Sequence, residues 1–137
     1  MNLRNSAALL FTAFLSLFLG ASCATASVDI REDMTPAELI QRAQEASDRN
    51  RYSVSLQYYQ AILERFPYDI DSVCAAEYEI AFIHYKQKSY ETAKTGFNEL
   101  LERYNTVDEA LLPPQFKVLA QIVLAKIEEL EERGQRR

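Results

Sequence analysis

The side chains with distinctive chemistry are few in this chain: one histidine, His84, and two cysteines, Cys23 and Cys74. His84 has no second histidine and no cysteine at ligand spacing, so it reads as a packed, hydrogen-bonded residue and not as a metal ligand. Serines and acids are plentiful, but neither a glycine-rich phosphate loop nor a nucleophile elbow occurs among them. The chain therefore reads as a non-enzyme with no cofactor and no metal. Glu77 and Glu79, near His84 in sequence, read as solvated charge. Cys74 reads as a buried, inert thiol on a helix, with a free reactive group or an intermolecular bridge as the alternatives.

Cys23 belongs to a different chemistry. Arg4 gives a short positive start, Ala7 to Leu19 is an almost unbroken apolar run, and Gly20-Ala21-Ser22 places small residues directly before the cysteine. The run is too short to span a bilayer and lacks a stop-transfer flank, so residues 1–22 read as a signal peptide and the chain as exported. Small residues leading into a cysteine resemble a bacterial lipobox, which implies lipidation, palmitate included, of Cys23 as the first mature residue. Leu19 and Gly20 make the match looser than the strict pattern. Ordinary cleavage at Ala24-Thr25-Ala26, discarding Cys23, is the alternative. Acyl chains contribute about 0.8 kcal/mol per buried CH2, enough for stable anchoring when more than one is attached.

Once Arg4 leaves with the leader, 14 Lys and Arg stand against 20 Asp and Glu, a net charge of −6. That balance argues against nucleic acid and against attraction to anionic head groups. Protein partners remain as the class to expect.

The elements that would position any binding surface are helical. Residues 24–33 have no period and read as a tether. Thr35-Pro36-Ala37-Glu38 then reads as a capping box with proline at the first helical position. A first helix is expected to about Arg49, with Leu39, Ala43 and Ala46 on its stripe. A second runs over about 52–66, with Tyr52, Leu56, Tyr59, Leu63 and Phe66 inward. A third begins near Asp71 or Ser72 and ends near Gln87; Val73, Ala76, Ile80, Ala81 and His84 form one stripe and Tyr78, Phe82 and Tyr85 another. A fourth spans about 90–104, with Gly96 at mid-helix as a candidate close crossing. After a loop, a fifth spans 114–133 with Gly134 as its stop. Its buried stripe is expected to hold Phe116, Leu119, Ala120, Val123, Ile127 and Leu130.

A shift of 38 residues superposes Ala43 on Ala81, Tyr52 on Tyr90, Tyr59 on Phe97 and Leu63-Glu64-Arg65-Phe66 on Leu101-Glu102-Arg103-Tyr104. Two helical hairpins, about 36–67 and 72–105, are therefore expected to stack, with the helix over 114–133 as a cap, in an all-α domain over 35–134.

Ala81, Tyr90, Ala93 and Phe97, and in the first repeat Ala43, Tyr52, Ser55 and Tyr59, fit the tetratricopeptide pattern of a small residue followed by an aromatic, a small residue and an aromatic. Ser55 replaces alanine, and Asn105 replaces the closing proline that Pro67 supplies. The longer period and the Glu-Arg-aromatic endings resemble the repeats of bacterial envelope lipoproteins, most closely the BamD-like family of outer-membrane β-barrel assembly. The resemblance implies a lipid-anchored scaffold, facing the periplasm from the outer membrane, that docks protein partners such as the barrel-assembly core protein. A chain of two and a half repeats departs from the five usual in that family. Alternatives are a repeat lipoprotein of the Tol-Pal or cell-wall coordinator type, one associated with a transporter, or a self-associating structural lipoprotein forming a homo-oligomer.

By the same resemblance the concave groove is lined by Ile40, Gln44 and Ser47 of the first helix and by Tyr78, Phe82 and Tyr85 of the third; the alternative is that the fifth helix covers these aromatics. A carboxylate clamp known from one version of the fold has only Lys86 to offer and is excluded. A second surface is expected on the fifth helix, where Val118, Ile122 and Ala125 lie opposite the buried stripe.

Overall fold

The computed structural model describes residues 27–135, so the leader over 1–22 and the lipidation expected at Cys23 lie outside the described residues. The first helix, α1 (Pro36–Asp48), opens on a full capping box. Thr35 Oγ1 accepts from the Glu38 N–H at 3.3 Å, and Glu38 Oε2 accepts from the Thr35 N–H at 2.8 Å. Those bonds, the backbone one foremost, hold the Glu38 carboxyl below its ordinary value. Asn50, at φ 55°, turns the chain through the left-handed region that asparagine tolerates better than most residues. The second helix, α2 (Tyr52–Arg65), runs back along α1.

The next hairpin repeats the plan with α3 (Ile70–Lys86) and α4 (Tyr90–Thr106), joined at Lys88 with φ 62°. Its start differs from expectation, because Asp69 is the cap. The Asp69 carboxylate accepts from the Ser72 N–H at 3.2 Å and from its hydroxyl at 2.9 Å, which leaves Asp71 and Ser72 inside the first turn. A 3₁₀ turn (Glu109–Leu111) leads into α5 (Pro114–Gln135). That helix passes through Gly134 without stopping there; nothing lies within 4 Å of where a Cβ would stand on that residue.

Two apolar clusters share α3 as a wall. Leu39, Ala43, Tyr59 and Ile62 of the first hairpin meet Ala76 and Ile83 of α3. Cys74, Tyr78 and Ala81, on another side of α3, meet Ala93, Phe97 and Leu100 of α4 and Ala120, Val123 and Ile127 of α5. The result is an all-α, tetratricopeptide-like stack of two helical hairpins closed by a fifth helix that packs on both α3 and α4. Small residues set the spacing within each hairpin. A Cβ added to Gly96 would stand 3.0 Å from the Ala81 Cβ, so α3 and α4 cross at near contact. In the first hairpin the buried Ser55 hydroxyl donates to the Ala43 carbonyl at 2.8 Å, which explains how serine replaces alanine there without an unmet polar group.

Residues 28–33, expected within a free tether, form instead a strap along α2. The Val28 N–H donates to Gln57 Oε1 at 3.0 Å, and the Arg65 guanidinium donates to the carbonyls of Arg31 at 2.8 Å and Ile30 at 3.2 Å. Ile30 and the buried Met34 add to the first cluster, so apolar burial reinforces the polar ties. Among the described residues no helix is long and apolar enough to cross a membrane.

Candidate functional site

The face expected to be a groove is built from α1 and α3, and the structure redistributes its residues. Gln44 is exposed, Ile40 is half-buried against the first cluster, and Ser47 is buried. Tyr78 does not lie open on the groove: it is 7% exposed, with the Phe116 ring of α5 at 5.7 Å and the Phe97 ring of α4 at 5.6 Å. The alternative that the fifth helix covers it holds for this residue. Burial accordingly pushes the Tyr78 hydroxyl above its ordinary value.

Phe82 and Tyr85 stay half-buried and continue a run of rings from Tyr78. Centroids are 5.7 Å apart at each step along α3, and Tyr90 follows at 6.0 Å. The first two steps are near-parallel, at 15° and 22°. An aromatic run with one buried end is held in place by packing, so its open end presents preformed apolar area at low entropic cost.

A polar strip borders the rings. Lys86 Nζ donates to Ser47 Oγ at 2.5 Å and lies over the rings of Tyr52 at 5.2 Å and Phe82 at 5.4 Å, tying α1, α2 and α3 together. Its ammonium is committed to these partners and is not a free carboxylate hook. Glu79 lies seven residues before Lys86 on α3 and is half-buried. Burial raises its carboxyl, the Lys86 charge opposes the rise, and Asp48 adds to it. The reading of Glu79 as solvated charge therefore fails. It fails for Glu77 as well, which is half-buried and forms a two-bond ion pair with Arg103 of α4, one contact being Nε to Oε2 at 3.1 Å. Spacing could have pointed to the Ser47–Lys86 bridge, since a separation of 39 is one repeat plus one residue and sets successive first helices side by side.

The second expected surface is present. Val118 is 54% exposed and Ile122 59% exposed, and Ala125 is exposed with them. Leu119, expected in the buried stripe, is exposed and joins the patch, because the buried face of α5 centres on Ala120, Val123 and Ile127. Pro114, Gln115, Val118 and Leu119 line an open hollow of about 470 Å³.

The thiol of Cys74 is fully buried and pushed up by that burial, which suppresses the thiolate that reactivity would need. His84 is half-buried on α3. No group of three His, Cys, Asp or Glu among the described residues could hold a metal ion.

No family model matches the chain, and no solved structure does. An uncharacterized protein of Treponema pallidum (strain Nichols) is similar to it, with 37% identity over 117 residues, 84% of this chain and 47% of that protein. The chain thus spans about half the length of this relative.

Proposed function

We propose that this chain is a cell-envelope scaffold, anchored through lipid on Cys23, which docks protein partners on the inner face of its helical stack. The observation that carries the reading is the half-exposed pair Phe82 and Tyr85, held rigid by Tyr78 and Phe116 behind them and edged by Ser47 and Lys86. Rigid aromatics beside a polar strip suit a helix or an extended segment of a partner. The repeat pattern makes a BamD-like role in outer-membrane β-barrel assembly the preferred assignment.

The strap sharpens this reading. Only four residues separate Cys23 from Val28, where the chain is tied to α2. Extended chain of that length reaches at most about 18 Å, so in this reading a lipid on Cys23 keeps the α2 side near the membrane.

A photoreactive residue at Phe82 in the full chain, activated in intact envelopes, tests the proposal. Adducts with an envelope protein, reduced by Tyr85→Ala, are expected. Adducts lacking any barrel-assembly component would remove the BamD-like assignment, and a complete lack of protein adducts would remove the scaffold.

A further inference from the structure

We propose that the turn between α1 and α2 is a headgroup site: Arg49 and Arg51 bind the phosphate of an anionic phospholipid in the membrane that holds the Cys23 anchor. The hollow behind this inference has a volume of about 190 Å³ and lies where the strap meets the first hairpin. Its rim carries three arginines, Arg42, Arg49 and Arg51, against one acid, Glu45. Val28, Val54 and Tyr58, all half-buried, give it an apolar wall.

Once the ion pairs are counted, two cations are left over. Arg42 is joined to Glu45 at 3.3 Å, and Glu45 also accepts from Gln41 at 3.1 Å, so the one acid on the rim is occupied. Arg49 and Arg51 are exposed, and among the described residues neither guanidinium has a hydrogen-bond or carboxylate partner. The other acids nearby are placed elsewhere. Asp48 stands close enough to Tyr59 and Glu79 to push both upward, on the side of α1 that meets α3. Asp29 and Glu64 line a separate hollow with Arg65, and Asp33 pairs with Arg31 at 3.6 Å. Glu32 lines neither hollow. The acidic balance of the whole chain therefore does not describe this corner of it.

The two arginines also leave a fixed backbone. Their N–H groups both donate to the Ala46 carbonyl, at 3.2 Å from Arg49 and 2.9 Å from Arg51, and the Asn50 N–H donates to the Ser47 carbonyl at 2.9 Å. Asn50 Oδ1 in turn accepts from the Tyr52 hydroxyl at 2.8 Å. A phosphate can accept from both guanidinium groups without ordering any backbone.

Comparison of the repeats removes a structural reason for these residues. The 38-residue shift sets Gln87 and Ser89 where the first hairpin has Arg49 and Arg51, around the same left-handed position, Lys88 for Asn50. The hairpin thus closes without arginine at either place. Arg42 and Glu45 correspond to Ile80 and Ile83, which α3 packs against the first hairpin, so this face of α1 is the end of the stack. An end face needs polar residues, which a paired Arg42 and Glu45 supply. Two unpaired charges of one sign exceed that need.

The anchor selects the occupant. Val28 is the strap residue that lines the hollow, and four residues separate it from Cys23. Under the lipid-anchored reading, on which this inference rests, extended chain of that length holds Val28 within about 18 Å of the acylated residue. Anionic head groups attract arginine at such a surface. The apolar wall suits the glycerol that joins the phosphate to its acyl chains, a part that free phosphate lacks.

The test uses the full chain, expressed in a bacterial envelope, extracted in detergent and reconstituted into vesicles of phosphatidylethanolamine and phosphatidylglycerol. A phosphatidylglycerol with a photoreactive headgroup is the probe, and adducts are mapped by mass spectrometry. Adducts are expected within residues 42–58. Arg49→Gln and Arg51→Gln should each lower their yield about fivefold, with the far-ultraviolet circular dichroism unchanged. Lys88→Gln, at the matching turn of the second hairpin, should leave the yield as it is, and inorganic phosphate at equal ionic strength should not compete. Competition by inorganic phosphate would mark a site for the free ion and overturn the lipid source. Adducts spread over all five helices, or yields unaltered in both arginine variants, would leave only a solvated end face and overturn the proposal. The mass of the same chain reports acylation of Cys23. An acylated chain without adducts over 42–58 loses the headgroup site alone, and an unacylated chain loses the anchor and this site together. Adducts at this turn with none between Phe82 and protein would remove the docking part of the scaffold reading and leave the headgroup site standing.

Discussion

Tyr59 on α2 and Glu79 on α3 are polar groups carried into the packing where the two hairpins meet, and each costs stability. The Tyr59 side chain is fully buried, and among the described residues its hydroxyl has no hydrogen-bond partner. An unmet buried hydroxyl costs about 1–3 kcal/mol, and removing it leaves a ring of the same shape. Tyr59→Phe should therefore stabilise the domain by about 1 kcal/mol, measured by urea unfolding with an unchanged m-value. Glu79 acts in the same direction through pH. Burial raises its carboxyl above the ordinary value of 4.5, so the folded chain holds that proton more tightly than the unfolded one. Glu79 thus lowers stability above its raised value, and the loss is relieved as the pH falls through that value toward 4.5. Glu79→Gln should melt higher than the parent at pH 7, and the difference should close below pH 4.5. A difference constant with pH would show that titration of Glu79 is not its source.

At the scale of the elements, two features of α1 and the second hairpin can be tested separately. Thr35→Ala removes one half of the capping box and should cost about 1 kcal/mol in thermal or urea unfolding. Gly96→Ala improves intrinsic helix propensity by about 1 kcal/mol, yet it sets a Cβ against the Ala81 Cβ at 3.0 Å, an atom fixed to backbone that cannot swing aside. Strain should win, with a net loss of about 1–3 kcal/mol, and Ala81→Gly in the same chain should restore part of it. The elements themselves were legible, because the apolar spacing, Pro36, Pro67 and the Thr35–Glu38 box are local signals. Partition of each helix face was less so. Ile83 and Ile62 are fully buried although the expected stripes passed them by, and Leu119 is exposed although its stripe included it. A helix that packs on two neighbours, as α3 does, buries more than one stripe. A helix such as α5, at the end of a stack, buries less than its apolar content suggests. The strap over 28–33 left no periodic trace, since it is held by the Gln57 and Arg65 side chains and by two apolar residues.

The whole molecule behaves as a short one-dimensional stack, in which each layer is stabilised by its neighbour and α5 covers the second hairpin. Three ties hold that cover in place: the Phe116 ring over Tyr78, the Tyr104 hydroxyl donating to the Pro113 carbonyl at 2.6 Å, and Lys94 bridging Glu91 at 2.6 Å and Glu131 at 2.9 Å. The Lys94 bridge is partly solvated, so apolar contact supplies most of the energy. Phe116→Ala should cost about 2–4 kcal/mol, near the lower end for buried phenylalanine because the side chain is only half-buried. The loss should be distributed by position. Hydrogen exchange is expected to accelerate first over α5, then over α4 around Phe97 and Leu100, while α1 and α2 keep protection through Leu39, Tyr59 and Ile62. Uniform acceleration across all five helices would show that the stack unfolds as one unit, and would mean that the shared wall of α3 couples the two clusters more strongly than nearest-neighbour packing requires.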